Sequence, residues 1–172
     1  MTGWPGERSR HGGIDEIPLS GVPGRLWLCG KHAIAPDPEA CLASVGATVV
    51  VCLNEPYELI DRYPQYVAWL GAGALGAVLW CPIPDLGAPS LDRSIELVEA
   101  LHLRLAEGAG VVMHCGAGIG RAGTMAAALL MRLGASRVDA CRTVATHRPM
   151  GGPEAGAQVM LLEALEQHHW CT

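Results

Sequence analysis

Four short aliphatic or β-branched runs alternate with stretches of helical periodicity, and this alternation constrains the fold more than any other feature. The runs are Leu26 to Cys29, Thr48 to Leu53, Ala77 to Ile83 and Val111 to His114. Between and after them lie helical patterns at Pro38 to Val45, Glu55 to Leu70 (broken at Pro64), Leu91 to about Ala106, Thr124 to Leu133, Ser136 to Thr146 and Pro153 to Trp170. Ser90 is placed to cap the Leu91 helix, Gly108 to end it, and Gly134 to stop the Thr124 helix. Strands too apolar to face water on either side, joined by helices, predict a single α/β domain: a central, mainly parallel sheet of four to five strands flanked by helices. Residues 1–24 are rich in Gly and Pro and read as a flexible N-terminal arm; 25–172 read as the one domain.

Composition narrows the function classes. The chain has 172 residues, half of them hydrophobic and 17% charged, enough to bury a core without staples. Its formal charge is −5 with no Lys/Arg cluster, which argues against a nucleic-acid or anionic-membrane partner. No apolar run reaches the roughly 20 residues of a membrane span, and residues 1–24 lack the apolar centre of a signal peptide, so a cytoplasmic location is expected. The seven cysteines are odd in number and lack C-x-x-C pairs, so reduced thiols are expected. The histidines show no metal-ligand spacing, and neither metal nor cofactor is expected.

The chemistry concentrates where the last strand run meets a helix. His114-Cys115-Gly116-Ala117-Gly118-Ile119-Gly120-Arg121 places a cysteine at the strand end and an arginine at the helix start. Three glycines let the backbone curl so that successive N–H groups of Gly116, Ala117, Gly118, Ile119 and Gly120 point at one anion, beside the positive end of the helix. Such a setting lowers a cysteine pKa from about 8.5 and favours the nucleophilic thiolate. The planar fork of Arg121 suits two oxygens of a phosphoryl group. Upstream, the proline-rich segment Cys81-Pro82-Ile83-Pro84-Asp85-Leu86-Gly87-Ala88-Pro89 offers Asp85 on a loop, where a carboxylic acid can protonate a leaving oxygen. Asp92 is a weaker candidate, since it falls in a first helical turn where an acid serves the dipole.

This histidine–cysteine, five residues, arginine pattern resembles the signature loop of the protein-tyrosine and dual-specificity phosphatases, and the Asp85 loop is similar to the general-acid loop of the dual-specificity branch. The resemblance runs from Arg25 to about Leu165. It implies a dual-specificity-phosphatase-like catalytic domain that hydrolyses phosphate monoesters through a phosphocysteine, with Cys115 as nucleophile, Arg121 as clamp and Asp85 as acid. The implied substrate is a phosphorylated protein, on phosphotyrosine with phosphoserine and phosphothreonine left open, or a small aryl phosphate. It also implies a supporting role for His114 and, through the segment from His147 to Gln158, a water-orienting role for Gln158.

Ala122 departs from the pattern, because most members carry a hydroxyl after the arginine that stabilises the departing thiolate. Without it, breakdown of the intermediate is expected to slow, and Thr124 is the nearest hydroxyl that could substitute. A catalytically weak or inactive phosphate-recognition module is therefore the alternative. Rhodanese-like sulfur transferases and arsenate reductases also set a cysteine in an anion loop but lack the upstream Pro-Asp segment. Cys52 is similarly placed to a second cysteine of some relatives, which implies a resolving thiol for Cys115; an inert core thiol is the competing reading.

Overall fold

The valine-rich and leucine-rich runs form strands because each residue finds apolar cover on both faces of one sheet. The computed structural model describes residues 8, 11–73 and 77–170. The strands are β1 (Ile14–Ile17), β2 (Arg25–Gly30), β3 (Val49–Cys52), β4 (Val78–Trp80) and β5 (Gly110–Cys115), in spatial order β1-β2-β5-β3-β4. β1 is antiparallel to β2 and every other pairing is parallel. The helices are α1 (Lys31–Ile34), α2 (Pro38–Val45), α3 (Pro64–Gly71), α4 (Leu91–Ala106), α5 (Gly120–Arg132), α6 (Arg137–His147) and α7 (Gly156–Glu166), with a 3-10 turn at Pro56–Glu58. The α/β class and mainly parallel sheet expected from the sequence are what the chain adopts.

Strand alternation divides the core. Leu26, Leu28, Val49, Val51, Val111 and Met113 pack on one face with α4 to α7, while Trp27, Cys29, Val50, Cys52 and Val112 pack on the other with Tyr66 and Leu70 of α3. β5 therefore runs through the middle, and its carboxyl end, between β2 and β3, opens where parallel sheets bind ligands. α5 leaves that end and is buried along its length save Arg132, so its alanines and Gly123 bring the neighbouring helices close. A side chain on Gly123 would overlap the backbone of Gly152, whose N–H donates to Ile119 O at 3.1 Å.

Differences from the sequence reading are local. The segment read as an arm carries β1, held by the Arg25–Glu16 pair at 2.6 Å and by the ladder to β2; four residues bracketed by glycines are too short to show as a strand in sequence. Residues 1–7, 9 and 10 of that arm lie outside the described residues, as do 74–76 of the Gly-rich turn before β4. The run Ala77 to Ile83 is a strand only over Val78–Trp80, although Cys81 and Ile83 still donate to Cys52 O and Leu53 O. α5 starts at Gly120, four residues before the apolar pattern, because its first turn is too glycine-rich to announce a helix. α7 starts at Gly156, leaving Pro153 and Glu154 in the preceding loop. Among the described residues no helix is long and apolar enough to cross a membrane. Cys29, Cys41, Cys52, Cys81, Cys115 and Cys141 are free thiols.

Candidate active site

β5 delivers Cys115 to the carboxyl end of the sheet, where it is 2% exposed and lines a cleft of about 350 Å³. Arg121, one residue into α5, and Asp85, from the loop after β4, line the same cleft, so the three residues singled out in the sequence converge. The loop between Cys115 and Arg121 curls back over β2. Gly118 has φ +73, and a side chain there would overlap the Cys29 carbonyl, so both conformation and space demand glycine. Gly116 O accepts from Lys31 N at 3.0 Å.

Arg121 is 4% exposed and held flat. Its guanidinium donates to both oxygens of Glu58 at 2.7 and 2.9 Å and to Ile83 O at 2.9 Å, and lies 3.3 Å from Asp85 Oδ1. Burial opposes the Arg121 charge, and Glu58 together with Cys115 and Asp85 more than offsets it. Glu58 in turn accepts from Glu55 N at 2.8 Å and Asn54 Nδ2 at 3.0 Å; burial works against its charge, yet Arg121 and these donors hold its carboxyl below the ordinary range. Asp85 sits at the turn closed by Gly87 N to Pro84 O at 2.8 Å, with its side chain 70% exposed, able to meet an incoming ester.

His114 is fully buried, with Nε2 2.7 Å from the Tyr66 hydroxyl. Nδ1, beside the Cys115 backbone, has no hydrogen bond of normal geometry. Burial drives the imidazole pKa down to about 4, so it is neutral at physiological pH and braces the strand end. The unfolded chain takes that proton near pH 6.5. Between pH 6.5 and 4 the unfolded state therefore binds more protons than the folded one, and stability falls as pH drops through this window, by about 3 kcal/mol in all from this group. Urea denaturation at pH 7, 5.5 and 4.5 should show the loss, and His114→Asn should flatten it. An NMR titration of the His114 ring with a midpoint above 6 would contradict the assignment.

Gln158 is fully buried, but its amide is used at both ends: Oε1 accepts from Glu154 N at 2.7 Å and Nε2 donates to Gly87 O at 3.1 Å. It ties the α7 entry to the Asp85 turn. Thr124 donates its hydroxyl to Gly120 O at 2.7 Å within α5, so it does not replace the hydroxyl missing at Ala122, which is itself fully buried. Cys52 lies on β3 opposite His114, and burial pushes its thiol up to about 12, which favours the inert core reading. Asp92 lies in the first turn of α4, where Ser90 Oγ caps Arg93 N.

Five residues around the cleft escaped the sequence reading as site residues: Lys31, Glu58, Tyr66, Arg148 and Glu154. Lys31 is the chain's only lysine and lines the cleft, donating to Glu58 O at 3.0 Å. Glu154 also lines it, its carboxylate set against Gly120, where a side chain would collide with it. Arg148, 3% exposed, holds the loop from behind through Gly118 O at 3.1 Å and Ala117 O at 2.9 Å. Only Arg148 and Glu154 carried a sequence signal, both within the segment from His147 to Gln158.

Comparison with known proteins bears on the family and the fold. Residues 27–135 match the family model described as "Polymorphic toxin system, DSP-PTPase phosphatase". The chain is 40% identical over 76 residues to "Dual specificity protein phosphatase 8" of Homo sapiens, a match covering 44% of this chain but only 12% of that protein. The same match to the Mus musculus protein covers 11% of it, so the chain spans a small part of the curated relatives it matches. Among solved structures, Tk-PTP in its active form is 29% identical with a TM-score of 0.66, covering 90% of this chain and 97% of that one. A kinase associated phosphatase, solved with its catalytic-site cysteine replaced by serine, shares the fold at 24% identity and a TM-score of 0.75, covering 91% and 97%. Because the family model spans well over half of the chain, the protein belongs to the DSP-PTPase phosphatases, a family within the protein-tyrosine and dual-specificity phosphatases.

Proposed function

We propose that this chain hydrolyses phosphate monoesters, phosphotyrosine in proteins first among them, through a phosphocysteine intermediate. The observation that carries the reading is the convergence of Cys115, Arg121 and Asp85 in one cleft at the end of β5. In the first step the Cys115 thiolate attacks phosphorus. The S–P bond forms, the ester O–P bond breaks, and the leaving oxygen takes its proton from Asp85. The loop N–H groups, the α5 N-terminus and Arg121 hold the charge of the transferring phosphoryl group. In the second step water attacks phosphorus, its proton passes to the Asp85 carboxylate, and the S–P bond breaks to release phosphate and restore the thiolate. The neutral loop residues Gly116, Ala117, Gly118, Ile119 and Gly120 favour a phosphoprotein or simple aryl phosphate over a highly charged one.

Ala122, with the Thr124 hydroxyl spent inside α5, supports slow breakdown of that intermediate and is the one observation favouring a recognition module instead. A missing hydrogen bond to a charged group is worth about 1.5–3 kcal/mol, or roughly one to two powers of ten in rate. Stopped-flow hydrolysis of p-nitrophenyl phosphate should give a burst near one equivalent of p-nitrophenol per enzyme, then a steady rate slower by about that factor. Acid-quenched enzyme should carry a phosphoryl group on the Cys115 peptide. If the protein binds vanadate yet gives neither turnover nor adduct with any aryl phosphate or phosphopeptide, it is a recognition module.

A further inference from the structure

A second cavity of about 700 Å³ adjoins the phosphate cleft of about 350 Å³ and shares Lys31, Gly116 and Ala117 with it. Ile119, Pro149 and Met150 give it apolar lining, beside the basic side chains of Arg8, His11, Lys31, His32 and Arg148. This volume is in the range of pockets that enclose an organic group, and a bound phosphate does not fill it.

The backbone on either side of the entrance adds an independent sign. Among the described residues, the non-glycine positions with left-handed φ are Leu86 (φ 59) and Met150 (φ 64). Leu86 lines the phosphate cleft and Met150 the adjoining cavity, and their side chains are 55% and 78% exposed. Glycine or asparagine would satisfy such backbone more easily. Folding gains little from a large apolar side chain left in water on strained backbone, whereas a substrate surface gains directly.

The lining selects the occupant. The phosphate cleft already carries the carboxylates of Glu58, Asp85 and Glu154, which repel acidic residues beside a phosphate. Among the described residues the adjoining cavity is lined by no carboxylate; its cations are Arg8, which pairs with Asp15, Lys31, which donates to Glu58 O, and Arg148, which donates to Ala117 O, Gly118 O and Asp15. An apolar group fits against Ile119, Pro149 and Met150. Adjacent residues of an extended peptide lie about 3.3–3.8 Å apart, so the residue next to the phosphorylated one, or the one after it, reaches a cavity that shares a wall with the phosphate loop.

We propose that this cavity seats a large apolar side chain one or two residues from the phosphorylated residue, so that the enzyme selects phosphosites flanked by leucine, methionine or phenylalanine. The proposal rests on the phosphatase reading and names its substrate class. It is tested with the full chain on phosphotyrosine peptides carrying Leu, Phe, Ala or Glu at each position within two residues of the phosphotyrosine, beside p-nitrophenyl phosphate, which has no flanking residue. At one position Leu or Phe should raise kcat/KM by about tenfold or more over Ala, and over Glu at the same position. Met150→Asn, which suits left-handed backbone, should erase that preference without lowering the melting temperature, and Met150→Leu should retain it. Turnover of p-nitrophenyl phosphate with no preference among peptides, or a preference that survives Met150→Asn, overturns the cavity assignment alone. Higher kcat/KM on phosphoinositide vesicles than on every peptide also overturns it. Absence of turnover on all substrates removes the phosphatase reading and this proposal together.

Discussion

Cys115→Ser is expected to lose turnover of p-nitrophenyl phosphate by at least about 10⁴-fold while keeping the fold and the anion site. The substitution changes one atom on a side chain 2% exposed at the end of β5, so packing is nearly conserved. What changes is the proposed nucleophile. A serine hydroxyl must be deprotonated by a neighbouring base, and the neighbours do not supply one. The His114 ring is buried, with Nε2 committed to Tyr66, and Asp85 lies against Arg121. Phosphate or vanadate should still raise the melting temperature of the variant, because the loop N–H groups and Arg121 are intact. Asp85→Ala should lose less, about 10²–10⁴-fold, since it removes proton transfer and leaves the nucleophile. A serine variant that keeps more than about a tenth of wild-type activity would place the nucleophile elsewhere.

How much of this was legible in the sequence depended on how far apart the cooperating residues lie. Cys115 and Arg121 are joined by one loop, and their spacing alone fixes a strand end, a nest and a helix start. Asp85 was visible because it stands on a proline-bracketed turn one strand-helix unit upstream. Glu58, by contrast, reaches Arg121 across 63 positions, and Tyr66 reaches His114 across 48; both contacts exist only because β3 lies beside β5 and α3 packs on the Cys52 face. Local pattern cannot announce a partner that topology supplies. The same limit hid β1, whose four residues gain their strand character from β2. Gln158 was named only through the resemblance, as a residue lining the site; that it is buried, with its amide occupied by the Glu154 N–H donor and the Gly87 O acceptor, comes from residues not adjacent to it in sequence.

Arg148 shows the largest effect that such a distant partner can have, and Arg148→Ala is expected to cost about 3–5 kcal/mol of stability together with most of the activity. Its guanidinium donates to Ala117 O and Gly118 O on one side, and to Gly12 O at 3.0 Å, Gly13 O at 3.0 Å and Asp15 Oδ2 at 2.7 Å on the other. One buried cation thus joins the phosphate loop, the end of α6 and the chain leading into β1. Because a trans peptide sets its C=O and the following N–H on opposite sides, holding the Ala117 and Gly118 carbonyls toward Arg148 turns the N–H groups of Gly118 and Ile119 the other way, as an anion nest requires. Truncation leaves four carbonyls without this donor and the Asp15 carboxylate, 14% exposed, without this partner. Arg148→Lys separates charge from geometry: a single ammonium can satisfy Asp15 or the loop but not both, so it should recover part of the stability and little of the activity. Urea denaturation and p-nitrophenyl phosphate kinetics on the two variants decide the matter. A loss below about 1 kcal/mol in Arg148→Ala, with activity within about threefold of wild type, would mean that the loop holds its shape without this residue.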